Sequence, residues 1–407
     1  MNHRITSPRE HAIARSDARL VVLVMTALAV LWTLAAPAHA QTSYLFTKVA
    51  DSARDGFNPF AFGCASLNDR GDVAFRAGRT APDGFNTIDG IYRANGAGTI
   101  ITVAEDPKGK RFDFLGRNPS MNDLGQVSFA ARLDGGDEAV LRGDGKKLVT
   151  IATTARDFNF FGFDTSVTNS GEVAFKAELD PEFDFAEGLF SGSGKRTTTH
   201  YLNAVDVTLD GQPARFGGND SRPSINNVGD IAFDESIQPN FNSGIFAGRE
   251  GVFRTIAAPS ADGSQSFQEP VFNDGGTAAF ETSFTDASGQ FVTAIVTGNG
   301  GPLTTVADTN GPFSFFGFRP PSINNGGGVA FLATLDDFQT TGIFVGPDVV
   351  EDRVIATGDV LDGATVSNLT FCEEGLNGSG EVAFIATLDE LDGSGSRTAV
   401  FRATPEQ

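Results

Sequence analysis

Ile225-Asn-Asn-Val-Gly-Asp-Ile-Ala-Phe233 is the stretch that decides the fold, because the chain repeats it. Leu67–Phe75, Met121–Phe129, Val167–Phe175, Phe272–Phe280, Ile323–Phe331 and Leu376–Phe384 carry the same pattern, with Thr168 replacing Asn in the third copy. The closing phenylalanines, Phe75, Phe129, Phe175, Phe233, Phe280, Phe331 and Phe384, are spaced 54, 46, 58, 47, 51 and 53 residues apart. A period near ~50 residues is that of propeller blades. Asn-x-x-Gly is turn chemistry: Asn bonds its own backbone neighbours, and Gly supplies a positive φ at no steric cost. Such a turn joins two antiparallel strands. After it, Ile231 and Phe233 point to one face and Ala232 to the other. A large residue opposite a small one suits a sheet sandwiched between two others. The expected fold is all-β: a seven-bladed propeller of four-stranded blades, occupying residues 41–407 as a single domain.

The tandem Asn-x-x-Gly-x-x-Ala-Phe motif resembles that of a group of exported bacterial proteins attached to the cell by differing C-terminal anchors. The resemblance covers roughly residues 43–402. It implies a propeller-like array outside the cytoplasm and carries no biochemical activity with it. The chain departs from the group at its end, Phe401-Arg-Ala-Thr-Pro-Glu-Gln407, where no apolar anchor segment follows.

Residues 1–40 have the form of a signal peptide. Arg4, Arg9, Arg15 and Arg19 precede the apolar run Leu20–Ala36, and Ala38-His39-Ala40 supplies a small-residue cleavage site. The run is short for a bilayer core, so no membrane span is expected in the mature chain. The expected location is exported, periplasmic or extracellular. Removing the leader takes the formal charge from −21 to −23. A chain this acidic is repelled by phosphate backbones, so nucleic acid is not an expected partner.

Each repeat divides into four strand-like runs, here a to d. Strand a precedes the Asn turn and strand b follows its Gly. Strand c begins at Gly or Ala, as in Gly244-Ile-Phe, and strand d is a β-branched run such as Thr255-Ile-Ala257. The last repeat stops at strand c, near Arg402. The N-terminal run Tyr44–Asp51 carries Val49-Ala-Asp51, which matches Val306-Ala-Asp308 in a strand d. Residues 43–51 are therefore expected to complete the seventh blade and close the ring. Cys64 and Cys372 precede the Asn turns of the first and last repeats, which are neighbours in a closed ring. Export permits a disulfide between them. Their offsets from the following Asn differ by one residue, which leaves two buried thiols as the alternative.

Strand alternation places the Asn turns on one face. The other face receives aromatic d–a loops, such as Phe158-Asn-Phe-Phe-Gly-Phe163 and Phe313-Ser-Phe-Phe-Gly-Phe318, and acidic b–c loops. Asp134, Asp137, Asp180, Asp184, Asp336, Asp337, Asp389 and Asp392 are the candidate ligand-face residues. Otherwise they serve solubility, as the phenylalanines would serve packing. No catalytic constellation stands out. The mature chain has one histidine, His200, which excludes His-based triads and multi-His metal sites. No P-loop, Cys-x-x-Cys or Gly-x-Ser-x-Gly occurs, and no resident cofactor is expected. Calcium has only acidic charge in its favour, without a complete Asp-x-Asp-x-Asp-Gly loop. The expected function is a non-catalytic exported scaffold, monomeric, binding a protein or glycan at the cell exterior. The alternatives are a hydrolase or lyase with a carboxylate or calcium centre on the aromatic–acidic face, and a cell-surface structural component.

Overall fold

The computed structural model describes residues 42–406, apart from 82–86, 96–97, 107–110, 181–185, 204, 219–221, 240–241, 261–263 and 318. The leader, Asp184 and Phe318 lie outside the described residues. Seven sheets follow one another along the chain, one per repeat, antiparallel throughout except where Val207–Leu209 adds parallel to Val252–Ala257 in the fourth. Blade 3 shows the plan: strand a, Phe158–Val167, pairs with b, Val173–Leu179; b pairs with c, Glu187–Gly192; and c pairs with d, Thr197–Leu202. The seven motif glycines, Gly71, Gly125, Gly171, Gly229, Gly276, Gly327 and Gly380, all adopt positive φ. Each donates its N–H to the carbonyl of the motif Asn or Thr three residues earlier.

The hydrophobic core is divided into seven wedges, one between each pair of neighbouring blades. The motif Phe of each blade packs against the preceding blade. Phe233 of blade 4 meets Ala174 and Leu189 of blade 3, and Phe384 of blade 7 meets Ala330 and Ile343 of blade 6. The small motif residue of the same strand faces the following blade, as Ala232 does in the wedge around Phe280. Two β-branched or aromatic residues there would force adjacent sheets apart; alanine lets them close. Blade 2 has Ser128 in this position, and its hydroxyl is bonded to the Thr165 hydroxyl across the wedge at 2.9 Å.

The ring closes as the pairing of its ends requires. Tyr44–Asp51 adds antiparallel to Ser396–Pro405, the third strand of blade 7, with Phe46 opposite Ala403 and Asp51 opposite Ala399. Arg397 binds Asp51 at 3.1 Å, Glu390 at 2.7 Å and Asp362 at 2.9 Å, so one guanidinium ties the added strand to two other segments of its blade. The Cys64 and Cys372 sulfurs are bonded to each other, with Cα atoms 5.8 Å apart, joining blade 1 to blade 7. Cys372 lies outside the strands, just before a turn at Glu373-Glu374. Strand alternation therefore does not fix its direction, and the one-residue offset is accommodated.

Three tiers of hydrogen bonds link successive blades around the axis. In the first, Ser66, Ser120, Ser166, Ser224 and Ser322 accept from the N–H of Met121, Val167, Ile225, Phe272 and Leu376 in the next blade. In the second, the amides of Asn68, Asn122, Asn226, Asn273, Asn324 and Asn377 donate to the motif carbonyl of the next blade, Asn377 returning to Asn68. In the third, the N–H of Asp69, Asp123, Asn169, Asn227, Asp274 and Gly378 donates to the side chain one blade on, with Gly378 reaching Asp69. Blade 3 interrupts the second tier because Thr168 has no amide. Blade 7 interrupts the third because Gly378 has no side chain. The interruptions fall at different interfaces, so each pair of blades keeps at least one such bond. The motif Asn is thus more than a hairpin residue: its carbonyl and Oδ1 hold the turn, and its amide holds the neighbour.

The aromatic d–a segments, expected as loops, are instead part of strand a. Phe57–Leu67, Phe112–Leu115, Phe158–Val167 and Phe313–Phe316 are strands, paired to strand b through bulged registers such as Phe158 to Leu179 and Phe161 to Ala177. The bulge lets Phe158 and Phe161 both enter the wedge, while Phe160 and Phe163 face solvent.

Candidate functional site: the axial cavity

The inner strands enclose the axis, and the motif apolar residues Leu67, Met121, Val167, Ile225, Phe272, Ile323 and Leu376 form its waist. One side of the waist is the Asn and Asp ring described above. The other side is a cavity of about 150 Å³, lined by Ser166, Ser224, Ser322, Arg222, Glu373 and Glu374 together with prolines and the waist. Two of its charged residues, Arg222 and Glu373, come from one repeat position, three residues before the apolar residue that opens each motif, and Glu374 follows Glu373 directly. That position holds Cys64, Asn118, Asp164, Arg222, Glu269, Pro320 and Glu373 in blades 1 to 7. The residues on either side of the waist obey the repeat, whereas this one changes in chemistry around the ring.

Arg222 of blade 4 forms a salt bridge with Glu373 of blade 7, and both side chains are only 6% exposed. Burial alone would weaken the Arg222 charge, but Glu373 and Asp164 overcome it and hold the guanidinium above its ordinary value. The second carboxylate oxygen of Glu373 is buried without a hydrogen-bond partner. Glu374 accepts from the Ser66 hydroxyl at 2.8 Å and from the Met121 N–H at 3.2 Å. Its backbone carbonyl accepts from the Leu67 N–H at 2.8 Å, filling the place of the serine that blade 7 lacks. Burial pushes the Glu374 carboxyl up to about 6, against Ser120 and Arg222. It pushes Glu269 up to about 7, partly opposed by Arg222. Nearby, Arg319 of blade 6 donates to Asn118 of blade 2 at 2.9 Å, and Asn118 donates to Asp164 of blade 3. This chain of contacts reaches across the axis. The cavity therefore combines a guanidinium with Glu374, a carboxyl that burial raises toward neutrality, and Glu269 stands close to the same guanidinium.

The acidic residues singled out in the sequence are placed elsewhere. Asp134, Asp137, Asp336, Asp337 and Asp392 are exposed in the b–c connections of separate blades, and Asp180 is half-buried at the end of strand b in blade 3. Asp389 is in strand b of blade 7, opposite Ser396, whose hydroxyl it accepts at 2.6 Å. None of these lines the axial cavity. Several hold turns: Asp337 accepts from the Gln339 and Thr340 N–H groups and the Thr340 hydroxyl, which lowers its pKa. Asp392 accepts from the Ser394 N–H, and Ser394 lowers its pKa. Among the described residues, the one trio of His, Cys, Asp or Glu donors within 4.8 Å is Cys64, Cys372 and Glu373, and its two sulfurs are bonded to each other. His200 is buried, with Nε2 2.9 Å from the Ser191 hydroxyl and Nδ1 accepting the Glu250 N–H. Burial lowers its pKa to about 4, so it is a neutral packing residue. No helix of the described residues is long and apolar enough to cross a membrane.

Fold and cavity together define a seven-bladed β-propeller with a charged axial site. The chain belongs to the DUF7453 family, a family of unknown function, whose pattern matches residues 39–159 and 67–404. Among solved structures it is similar to an acylaminoacyl peptidase of Pyrococcus horikoshii, with TM-score 0.50 and 8% identity over 81% of this chain and 51% of that one. It thus spans about half the length of that peptidase. It is also similar to an oligogalacturonate lyase in complex with manganese, with TM-score 0.50 and 12% identity over 90% of this chain and 98% of that one. At these identities the likeness is one of fold. No curated protein sequence matches the chain.

Proposed function

We propose that the protein is an exported, non-catalytic binding propeller, monomeric, whose ligand site is the axial cavity rather than the acidic b–c loops. The observation that carries this reading is the single repeat position that delivers Arg222, Glu269, Glu373, Asp164 and Asn118 around the axis. Residues that only close the ring have no need to differ there, and the neighbouring Ser and Asn positions hardly do. Export is supported by the leader, Arg4 to Ala40, and by the bonded cysteine pair, which persists in oxidising compartments. A protein or glycan at the cell exterior then presents the group that enters the cavity. Melting temperatures of the mature chain with amines, amino acids, sugars and divalent cations test the site. Glu374→Gln should abolish the shift given by the true ligand, and Asp336→Asn with Asp337→Asn should preserve it. The reverse pattern sinks the axial assignment.

A second reading is favoured by the burial of two carboxyls. It raises Glu374 to about 6 and Glu269 to about 7, the range in which a carboxyl serves as a general acid or base at neutral pH. On that reading the protein is a hydrolase or lyase. Turnover of chromogenic glycosides or polyuronates with a bell-shaped pH profile, lost in Glu374→Gln, would establish it. Turnover retained in that variant would exclude these residues.

A further inference from the structure

Resting on the axial reading above, we infer that the cavity takes the ammonium head of a small organic amine, held between Glu373 and Glu374. The first ground is an unmet acceptor. Glu373 is 6% exposed, one of its oxygens is engaged by Arg222, and the other is buried with no partner. An unpaired buried carboxylate oxygen is costly, and a donor from a ligand removes that cost. The second ground is charge. The cavity wall carries one guanidinium against two carboxylates, and Asp164 and Glu269 add negative charge close to Arg222. The site is thus complementary to a cation.

The third ground separates an organic cation from a metal. Calcium collects about six to eight oxygens at short range. Among the described residues no three carboxylates come within 4.8 Å of one another. An ammonium makes three directed hydrogen bonds and tolerates wider spacing. The fourth ground is the apolar waist, whose residues line the same cavity beside Glu373 and Glu374 and can receive a short alkyl chain. At about 150 Å³, roughly five water volumes, the cavity suits a head group rather than a polymer.

The test is calorimetry of the mature chain with n-butylammonium, n-butanol, calcium and a neutral polyol, each at pH 8 and pH 5. Butylammonium should bind saturably at pH 8 and butanol should not. Affinity should fall at least tenfold at pH 5, where Glu374 and Glu269 take up protons while the amine keeps its charge. The groups facing these two are Arg222, Glu373, Asp164 and Asp234, with the Ser66 and Ser120 hydroxyls, and Arg222 stays charged throughout. Glu374→Gln should cost tenfold or more. Because Glu373→Gln alone strands Arg222, it is paired with Arg222→Met, and near-ultraviolet circular dichroism verifies folding of each variant. Equal binding of butanol and butylammonium, or unchanged amine affinity in Glu374→Gln, overturns the inference. Binding of polyol or calcium alone, lost in Glu374→Gln, overturns the amine and leaves the axial site standing. Failure of all four probes to bind overturns both.

Discussion

The second tier of inter-blade bonds can be both broken and repaired, because blade 3 already carries the natural lesion. Asn122 is buried and makes four hydrogen bonds. Its amide donates to the Thr168 carbonyl at 2.8 Å and to Gln126 at 3.0 Å, and its Oδ1 accepts from Leu124 N–H at 3.1 Å and Gln126 N–H at 2.9 Å. At about 1 kcal/mol per net hydrogen bond, Asn122→Ala should cost about 4 kcal/mol. Asn122→Thr copies blade 3, where the Thr168 hydroxyl still accepts the Glu172 N–H at 3.1 Å. It should cost about 2 to 3 kcal/mol, keeping one bond. Thr168→Asn supplies the missing amide opposite the Asn226 carbonyl at nearly equal side-chain volume, and should gain about 1 kcal/mol. Urea unfolding of the three variants reads these values as shifts in midpoint at unchanged slope. With an unfolding entropy of about 2.1 cal/mol/K per residue, the alanine variant should melt about 5 °C lower. A cost below about 0.5 kcal/mol for Asn122→Ala, or a neutral Thr168→Asn, would refute the account of the ring as a mutual lock.

Reduction of the Cys64–Cys372 bond, which spans a separation of 308 residues, should cost about 3 to 5 kcal/mol. Equal urea midpoints with and without reductant would contradict this. Deleting Tyr44–Asp51 leaves the edge of Ser396–Pro405 unpaired and should yield aggregation or rapid proteolysis between blades 7 and 1; a monomeric, protease-resistant truncation would show that closure does not need the strand. Burial raises Glu281, 8% exposed, to about 7. Below about pH 4.5 the folded and unfolded chains both hold this proton; as pH rises toward 7 the unfolded chain releases it first, so stability declines and the loss is complete above 7. Glu281→Gln keeps the acceptor for Gln268 and should raise stability at pH 8 by up to about 3 kcal/mol, with no gain at pH 4, as urea midpoints at the two pH values will show.

The fold was legible because its physics is local and repeated. Asn and Gly specify a turn, Phe and Ala specify which face meets which neighbour, and Val49-Ala-Asp51 matches the strand missing at the other end. Two things were not legible. The aromatic runs look like loops because Phe158, Phe160, Phe161 and Phe163 break strict alternation, and only the bulged pairing with strand b reveals them as strand. The axial cavity is hidden in the sequence because the b–c connections hold the denser runs of acidic residues. Its signal was present as a position that refuses to repeat: Asn118, Asp164, Arg222, Glu269 and Glu373 stand at one offset from a motif otherwise kept constant. What the sequence could not supply is that this offset faces inward, since that follows from the curvature of seven sheets about an axis.

That offset has a consequence for how such a chain changes over time. The bonds that keep the ring together belong to the Ser, Asn and Asp positions two, four and five residues further on, and the wedge cores are built from the strands of neighbouring blades. On the proposed binding reading, a substitution at Glu269 would alter what the axis recognises while leaving those tiers and wedges intact. Arg222 with Glu373, and Asn118 with Asp164 and Arg319, are bonded to one another and would change together. The architecture is a fixed frame with variable tips, in which the chemistry of the axis can change while the tiers and wedges stay as they are.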